Sequence, residues 1–398
     1  MSVQAPNGAS WAQGYTYDTA RRLASVTSPA GAFNYQYNDG ADVGWVGDPY
    51  TGITYDLHKH SGALVQELTL PNGAYITNTF DSVARLTGTW LMNSGATNLD
   101  SYVYTYNQAN QRTNVVRTAG DYVTYKYDSI GELTNSIGFQ PSGAVRIHER
   151  RYYAYDGAGN LLQKKDSAAP MFQTIYGINS LNEITNSVLG TWNALVGWSA
   201  TISVAGSTTS PATNVTVNGA SVNLYGDNSF AWNFGVNAGS NGFTAIARDI
   251  YGRSSTNVSA VSVIPTNNAY AYDLNGNLLT DGTRNFAYDD ENQLSSVWKT
   301  NAWRNDFAYD GRLRKRIERD YMWSGSAWQQ TNEIHYIYDG NLVIQERDAN
   351  DSPQVTYTRG SDLSGSLQGD GGIGGLLART DHASAIPWIV PAGGAKVR

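Results

Sequence analysis

Tyr270-Ala-Tyr-Asp-Leu-Asn-Gly-Asn-Leu-Leu279 sets two aromatic rings two positions apart, follows them with an Asp/Asn/Gly/Asn run, and ends in a second apolar segment. Alternate residues of a strand share a face, and Asp, Asn and Gly are turn formers, so the stretch reads as a β-hairpin. Nearly the same run recurs at Tyr153-Ala-Tyr-Asp-Gly-Ala-Gly-Asn-Leu-Leu162. Shorter copies stand at Tyr15-Thr-Tyr-Asp18, Tyr35-Gln-Tyr-Asn38, Tyr104-Thr-Tyr-Asn107 and Tyr125-Lys-Tyr-Asp128. Phe286-Ala-Tyr-Asp289, Phe307-Ala-Tyr-Asp310 and Tyr336-Ile-Tyr-Asp339 continue the series. Repetition of one hairpin phrase predicts a repeat architecture.

The second aromatic advances by 20 residues from Tyr17 to Tyr37, by 21 from Tyr106 to Tyr127, by 28 from Tyr127 to Tyr155 and by 29 from Tyr309 to Tyr338. That scatter suits two short strands and two turns per unit, with turns of varying length, and not a solenoid coil of fixed length. Between the marked units the phrase degrades, as at Thr54-Tyr-Asp56 and Thr79-Phe-Asp81, while apolar and polar residues keep alternating. Cross-strand aromatic pairs are expected to form a ladder worth about 0.2–1 kcal/mol per pair. The Asp after each Tyr is expected to accept backbone amides two residues on, with Gly and Asn supplying positive φ.

From Tyr176 to Asn268 the phrase stops and the composition shifts to Ser, Thr, Val and Asn. Asn214-Val-Thr-Val217, Ala220-Ser-Val-Asn-Leu224, Phe230-Ala-Trp-Asn-Phe234, Gly242-Phe-Thr-Ala-Ile-Ala247 and Val258-Ser-Ala-Val-Ser-Val263 read as the strands of a small β-sandwich. An insertion at a hairpin tip adds little loop-closure entropy, which suits this placement. The expected division is therefore 1–14 disordered, 15–189 repeats, 190–266 inserted sandwich, 267–378 repeats, and 379–398 an irregular tail.

The bulk properties agree with an all-β chain. Its 398 residues include Gly 41, Tyr 27 and Trp 11, with only 15% charged residues. A net charge of −7 without a clustered basic stripe speaks against nucleic acid as a partner. The chain has no cysteine, which removes disulfides, thiolate metal sites and Cys nucleophiles together. No apolar run reaches the length a spanning helix needs, so no membrane span is expected. Met1 to Gly8 lacks the basic and apolar regions of a signal peptide, so the expectation is a fragment of a longer exported polypeptide, or export that needs no cleavable signal.

The Tyr-Asp units and the closing run Tyr336-Ile-Tyr-Asp-Gly-Asn-Leu-Val343, Arg359-Gly-Ser-Asp-Leu-Ser-Gly-Ser366 and Gly371-Gly-Ile-Gly-Gly-Leu-Leu-Ala378 resemble the RHS/YD-repeat family over about 15–190 and 268–378. The inserted segment resembles bacterial immunoglobulin-like modules, notably at Val217-Asn-Gly219 and Ala247-Arg-Asp-Ile-Tyr-Gly252. The first resemblance implies a β-hairpin sheet curling into a partial shell or barrel-like spiral that encloses a C-terminal toxin or other polypeptide. Related shells occur in insecticidal toxin complexes and teneurin-type adhesion proteins. Complete members run on into further Tyr-Asp strands and an Asp-Pro-x-Gly-Leu motif at which some cleave themselves. Here the only Asp-Pro is Asp48-Pro49, followed by Tyr50-Thr51-Gly52, so neither the self-cleaving element nor the cargo is expected in this chain.

Candidate chemistry has a plainer reading at each position. Asp273-Leu-Asn-Gly-Asn277 starts like an EF-hand loop, but Leu278 stands where Gly is needed and Arg284 where Glu is needed, which favours turn chemistry. His58 and His60 share a strand face without a third ligand nearby. Asp289-Asp290-Glu291 lies at an expected turn rather than across a cleft. Gly369 to Gly375 lacks the Lys-Ser/Thr of a phosphate loop and reads as a connector or a tight inner turn. Trp298, Trp303, Trp323 and Trp328 read as inter-strand packing rather than sugar platforms. The expectation is a non-enzymatic repeat wall with no catalytic, cofactor or metal residues. It would belong to a secreted or cell-surface bacterial toxin-delivery protein whose partner is a C-terminal toxin polypeptide. The alternative is a surface adhesin or carbohydrate-binding protein with cell-surface glycans as ligands.

Overall fold

A computed structural model describes residues 2–4, 10–38, 43–47, 54–61, 64–166, 173–189, 191–193, 197–263, 268–362, 367–369, 371–373, 375–382 and 396–397. Asp48-Pro49 lies outside them, as do the side chains of His58 and His60, whose strand Thr54–Ser61 is described in backbone alone. Among the described residues every regular element is a strand, and no helix is long and apolar enough to cross a membrane. The chain divides into two units, Met1–Ser101 with Arg284–Ile386, and Tyr102–Thr283 with Pro387–Arg398.

In the first unit, eight strands from Gly14–Tyr17 to Leu86–Met92 pair antiparallel, each with the next in sequence. Eight more, from Asn285–Tyr288 to Leu376–Asp381, do the same. Phe33 and Ala30 from the first set pack with Ile337 and Ile344 from the second, all four being buried. Val43 and Val46 form a second cluster, against which Leu367 and Leu377 rest. Within the glycine-rich run, Gly372 is buried, donates its amide to Asp362 Oδ2 at 3.1 Å, and lies so close to Leu342 that an added Cβ would approach within 2.5 Å.

In the second unit, consecutive antiparallel pairs run from Asn98–Tyr106 through Val145–Tyr155 to Ile184–Leu189. Ile184–Leu189 then pairs with Asn268–Ala269, in the register Asn186 to Ala269, so the sheet resumes after a long excursion. Within the excursion, Gly197–Ser207, Ser229–Val236 and Asn223–Leu224 form one sheet, and Asn214–Val217, Gly239–Arg248 and Ser254–Val263 form another. Alternate residues Phe243, Ala245 and Ala247 turn inward to meet Val204, Val215, Val217 and Phe230 in one core. Four of the expected strands are present as read, and the fifth, Ala220–Leu224, is split into Ala220–Ser221 and Asn223–Leu224; Gly197–Ser207 was not foreseen, because its small residues blur the alternation.

Both termini depart from expectation. Ser2–Gln4 pairs with Ser10–Ala12 where disorder was expected. The expected irregular tail holds the end of the strand Leu376–Asp381, which pairs with Pro353–Arg359, and a short strand Lys396–Val397 on Gly206 and Ser207. The signal was weak in both cases because strand hydrogen bonds belong to the backbone and short edge strands need little apolar patterning.

Candidate functional site

The repeated phrase builds a specific piece of geometry, beginning with its acid. At Asp156 the main chain closes a three-residue loop: Asp156 N donates to Asn160 O at 3.0 Å and Gly159 N to Asp156 O at 3.2 Å. Gly159 takes φ +84, and the register slips by one beside Tyr155, the signature of a type I turn with a G1 bulge. Asp156 Oδ1 accepts the amides of Ala158 and Asn160, and Oδ2 accepts Asn160 Nδ2. The same clamp forms at Asp18, Asp81, Asp273 and Asp310, where the fifth residue, Arg or Asn, reaches back to the second carboxylate oxygen. Donors to the charged form hold these carboxyls below their ordinary value; at Asp156 the side chain and amide of Asn160 lead. Asp249 closes an identical turn inside the inserted segment, with Arg253 as its fifth residue.

The left-handed residue of this turn predicts two substitutions of opposite sign. Leu313 occupies φ +61 in the Asp310 turn and Gly159 φ +84 in the Asp156 turn. Leu313→Gly is expected to raise unfolding stability by up to about 1 kcal/mol, while Gly159→Val, which adds backbone strain and a Cβ 3.0 Å from Glu132 Oε1, should lower it by about 1–2 kcal/mol. Denaturant midpoints of the two variants moving the same way would disprove the turn assignment.

The tyrosine before the acid does more than cover surface. Tyr155 OH donates to Leu133 O at 3.0 Å, and Leu133 is the fifth residue after Asp128, the acid of the preceding phrase. The rule repeats: Tyr37 to Leu23 O, Tyr127 to Arg112 O, Tyr309 to Leu294 O and Tyr338 to Lys315 O, at 2.7–2.9 Å. Tyr272 reaches Ile184 O at 3.0 Å, across the whole excursion. Each hydroxyl therefore ties one hairpin to the strand that starts the one before it. Burial raises the pKa of these phenols and keeps them in the donor form. The expected ladder of stacked rings is not how these tyrosines act. The one stacked pair among the described residues is Tyr122 with Phe139 at 5.0 Å, whereas Arg22 covers Tyr37 and Arg314 covers Tyr338 as cation–π contacts.

A stitch of this kind is worth about 0.5–1.5 kcal/mol net. Tyr155→Phe, which removes only the hydroxyl, is expected to lose about 1 kcal/mol in chemical denaturation. Tyr153→Phe, on the same strand with no such contact to lose, should change stability by less than about 0.5 kcal/mol. Equal losses from the two variants would show that the hydroxyl has no special role.

In the second unit, a buried ionic junction joins the repeat sheet to the inserted sheets. Arg146, on the strand Val145–Tyr155, is 2% exposed. Its Nη2 donates to Asp227 Oδ2 at 2.7 Å and Ser229 Oγ at 2.9 Å, and its Nε to Glu149 Oε1 at 3.1 Å. Its guanidinium also lies over the Tyr225 ring at 4.6 Å, while Tyr225 OH accepts the amide of Ile147 at 3.3 Å. Arg117 grips Glu149 through both terminal nitrogens at 3.0 Å and Asp121 at 2.6 Å. Gly138 leaves the room that Glu149 fills, since a Cβ there would lie 2.2 Å from Glu149 Oε2. Burial opposes the charges on Glu149 and Asp227, but the guanidinium partners outweigh it and hold both carboxyls low. Burial likewise lowers the pKa of His148, whose ring lies 5.3 Å from that of Tyr225.

The sequence candidates fall mostly into the repeat chemistry. Asp273 accepts the amides of Asn275 and Asn277 on Oδ1 and the Asn277 side chain on Oδ2, so it clamps a turn. Asp289 Oδ1 accepts the amides of Glu291 and Gln293, while the Gln293 side chain donates to Glu291 Oε2. Trp323 and Trp328 face each other edge-on at 5.1 Å across a hairpin, as packing residues do. The Arg146 junction was invisible in sequence, because its partners Asp121, Glu149 and Asp227 have no fixed spacing; an arginine amid apolar alternation, Val145-Arg-Ile147, was the one signal.

No family model and no curated protein matches the chain. Among solved structures, it is similar to TcdB2-TccC3-Cdc42 (15% identity, TM-score 0.39, covering 89% of this chain and 20% of that one). A second is TcdB2-TccC3-TEV (13% identity, TM-score 0.42, 92% of this chain and 21% of that one). A third is a Photorhabdus luminescens Tc holotoxin pore carrying a TccC3 mutation (14% identity, TM-score 0.42, 96% of this chain and 22% of that one). The chain thus spans about a fifth of the length of these structures.

Proposed function

We propose that the chain is a stretch of RHS/YD-repeat wall from an exported bacterial toxin-delivery or cell-surface protein, and that it acts by enclosing or presenting another polypeptide rather than by catalysis. The observation that carries this reading is the paired device of acid-clamped turn and tyrosine stitch, repeated in both units and in phase with the sequence phrase. Such a device fixes each hairpin to its predecessor without a central core, which is what a wall requires and a compact enzyme does not. The partner in this reading is a C-terminal toxin polypeptide.

The test is to read the gene that encodes this chain and express its full product. The expectation is more Tyr-Asp strands and an unrelated C-terminal domain that resists protease until the wall is denatured. A full-length product whose C-terminal domain is digested at the rate of the free domain would reject enclosure.

A second reading, glycan binding by the inserted sheets, is favoured by Trp232, which stands 42% exposed on the strand Ser229–Val236. Glycan-array binding by residues 190–266 that disappears in Trp232→Ala would establish it, and an array without signal would remove it.

A further inference from the structure

In the inserted segment of the second unit, a cavity of about 190 Å³ lies between two loops. One loop, 208–213, joins Gly197–Ser207 to Asn214–Val217; the other is the Asp249 turn, which joins Gly239–Arg248 to Ser254–Val263. Both are fixed. The Thr208 amide donates to Asn228 O at 2.9 Å and the Thr213 amide to Arg248 O at 2.8 Å, so the first loop is pinned at each end, and Pro211 restricts its middle. Asp249 Oδ1 accepts the amides of Tyr251 and Arg253, and Oδ2 accepts Arg253 Nε at 2.6 Å, so the second loop keeps its shape.

The donors that line this cavity are not used inside the protein. Among the described residues, the Arg248 guanidinium makes no hydrogen bond, ion pair or ring contact, and the one acid in the wall, Asp249, is taken by Arg253 and two amides. Among the same residues, the hydroxyls of Thr209, Ser210 and Ser254 have no partner, nor do the main-chain amides of Thr209, Ser210 and Ala212. Free amides and hydroxyls beside an unpaired guanidinium are the donor set that an oxyanion takes. Pro211, Ala212 and Ala247 add apolar wall next to them.

We propose that this cavity binds a tetrahedral oxyanion in ester linkage, a sulfate or phosphate monoester, with Arg248 as its cation and Thr209, Ser210 and Ser254 as its neutral donors. A tetrahedral group accepts hydrogen bonds from several directions, whereas a carboxylate takes paired donors in its own plane. Donors on two separate loops suit the first. The volume is several times that of a water yet below that of ordinary ligand pockets, which fits one acidic group and the carbon next to it. Neither the wall nor the role of Trp232 requires such a site.

The experiment is calorimetric titration of the full chain with methyl sulfate and methyl phosphate, against acetate as the planar counterpart and against inorganic sulfate and phosphate. The expected result is one site for at least one ester, ~10-fold or more tighter than acetate, no weaker than the matching inorganic ion, and weakening as salt is raised. Arg248→Gln, at an exposed position and removing no hydrogen bond or ion pair, should weaken ester binding ~10-fold or more. Arg151→Gln, at an exposed position of the repeat sheet, should leave ester binding unchanged. Acetate binding as tightly as the esters, an inorganic ion binding more tightly than its ester, unchanged affinity in Arg248→Gln, an equal loss in Arg151→Gln, or no saturable binding of either ester would each overturn the proposal.

Discussion

Arg146→Met should cost about 3–5 kcal/mol of unfolding free energy, among the largest effects available to a single substitution in this protein. Methionine keeps much of the length and loses the charge, so the change isolates what the guanidinium does. Asp227 and Glu149 would each lose a buried partner, at 2.7 and 3.1 Å, and the face of Tyr225 would lose its cation. Glu149 would keep Arg117 but Asp227 would lose its guanidinium, and the penalty of leaving a partly buried charge without its cation, rather than the Coulomb attraction itself, sets the size of the effect. The measurement is urea unfolding followed separately by Trp fluorescence and by far-ultraviolet dichroism. A loss below about 1 kcal/mol would mean that the junction is solvated and that the inserted sheets are held by other contacts.

The same junction predicts acid sensitivity. Glu149 and Asp227 have folded pKa values below their unfolded values of 4.5 and 3.8, so they stabilise above those values and cease to do so as pH falls through the lower folded ones. His148 is also depressed from 6.5, by burial; below that pH the unfolded chain takes up a proton that the folded chain refuses. All three contributions have one sign. Stability should rise from acid toward neutrality, with a first loss as the pH falls below 6.5 and a second in the carboxylate range. His148→Asn should flatten the first step and leave the second in place.

Phe230→Ala is the other large expectation, again about 3–5 kcal/mol. Phe230 is fully buried between the two sheets of the inserted segment, among Val204, Val215, Val217 and Phe243. Alanine would leave a void that paired strands close only partly, because backbone ladders on both sides fix the spacing of the sheets. The loss should appear in the transition of this segment, while the backbone amides of the repeat sheet keep their protection from hydrogen exchange. Hydrogen-exchange mass spectrometry separates the outcomes. Uniform loss of protection across strands 112–165 would show that the repeat sheet and the inserted sheets unfold as one.

The all-β reading was legible because period-two alternation and Asx-Gly turns are local signals, and Tyr153 to Leu162 or Tyr270 to Leu279 state them without ambiguity. The clamp was legible in half: the amide two residues on was foreseen, and the second amide and the reach of the fifth side chain were not. Several turns escaped notice because their phrase lacks one ring, as at Tyr176-Gly-Ile-Asn179, where Ile178 replaces the second aromatic yet Asn179 closes the same loop. The stitch was hidden for a different reason. A hydroxyl seeking a main-chain carbonyl places no demand on the identity of its acceptor, so Leu133, Ile184 and Lys315 carry no mark of it in sequence.

The contact from Tyr272 to Ile184 has an implication for how such a protein acquires new parts. Asn186 faces Ala269 across the same seam, and Tyr270 N reaches Thr185 O at 2.9 Å. The two lips of the seam are thus sutured to each other directly, and whatever is looped out between them inherits a ready-made anchorage. A foreign graft at this point needs no matching scaffold of its own, only ends that begin and finish side by side.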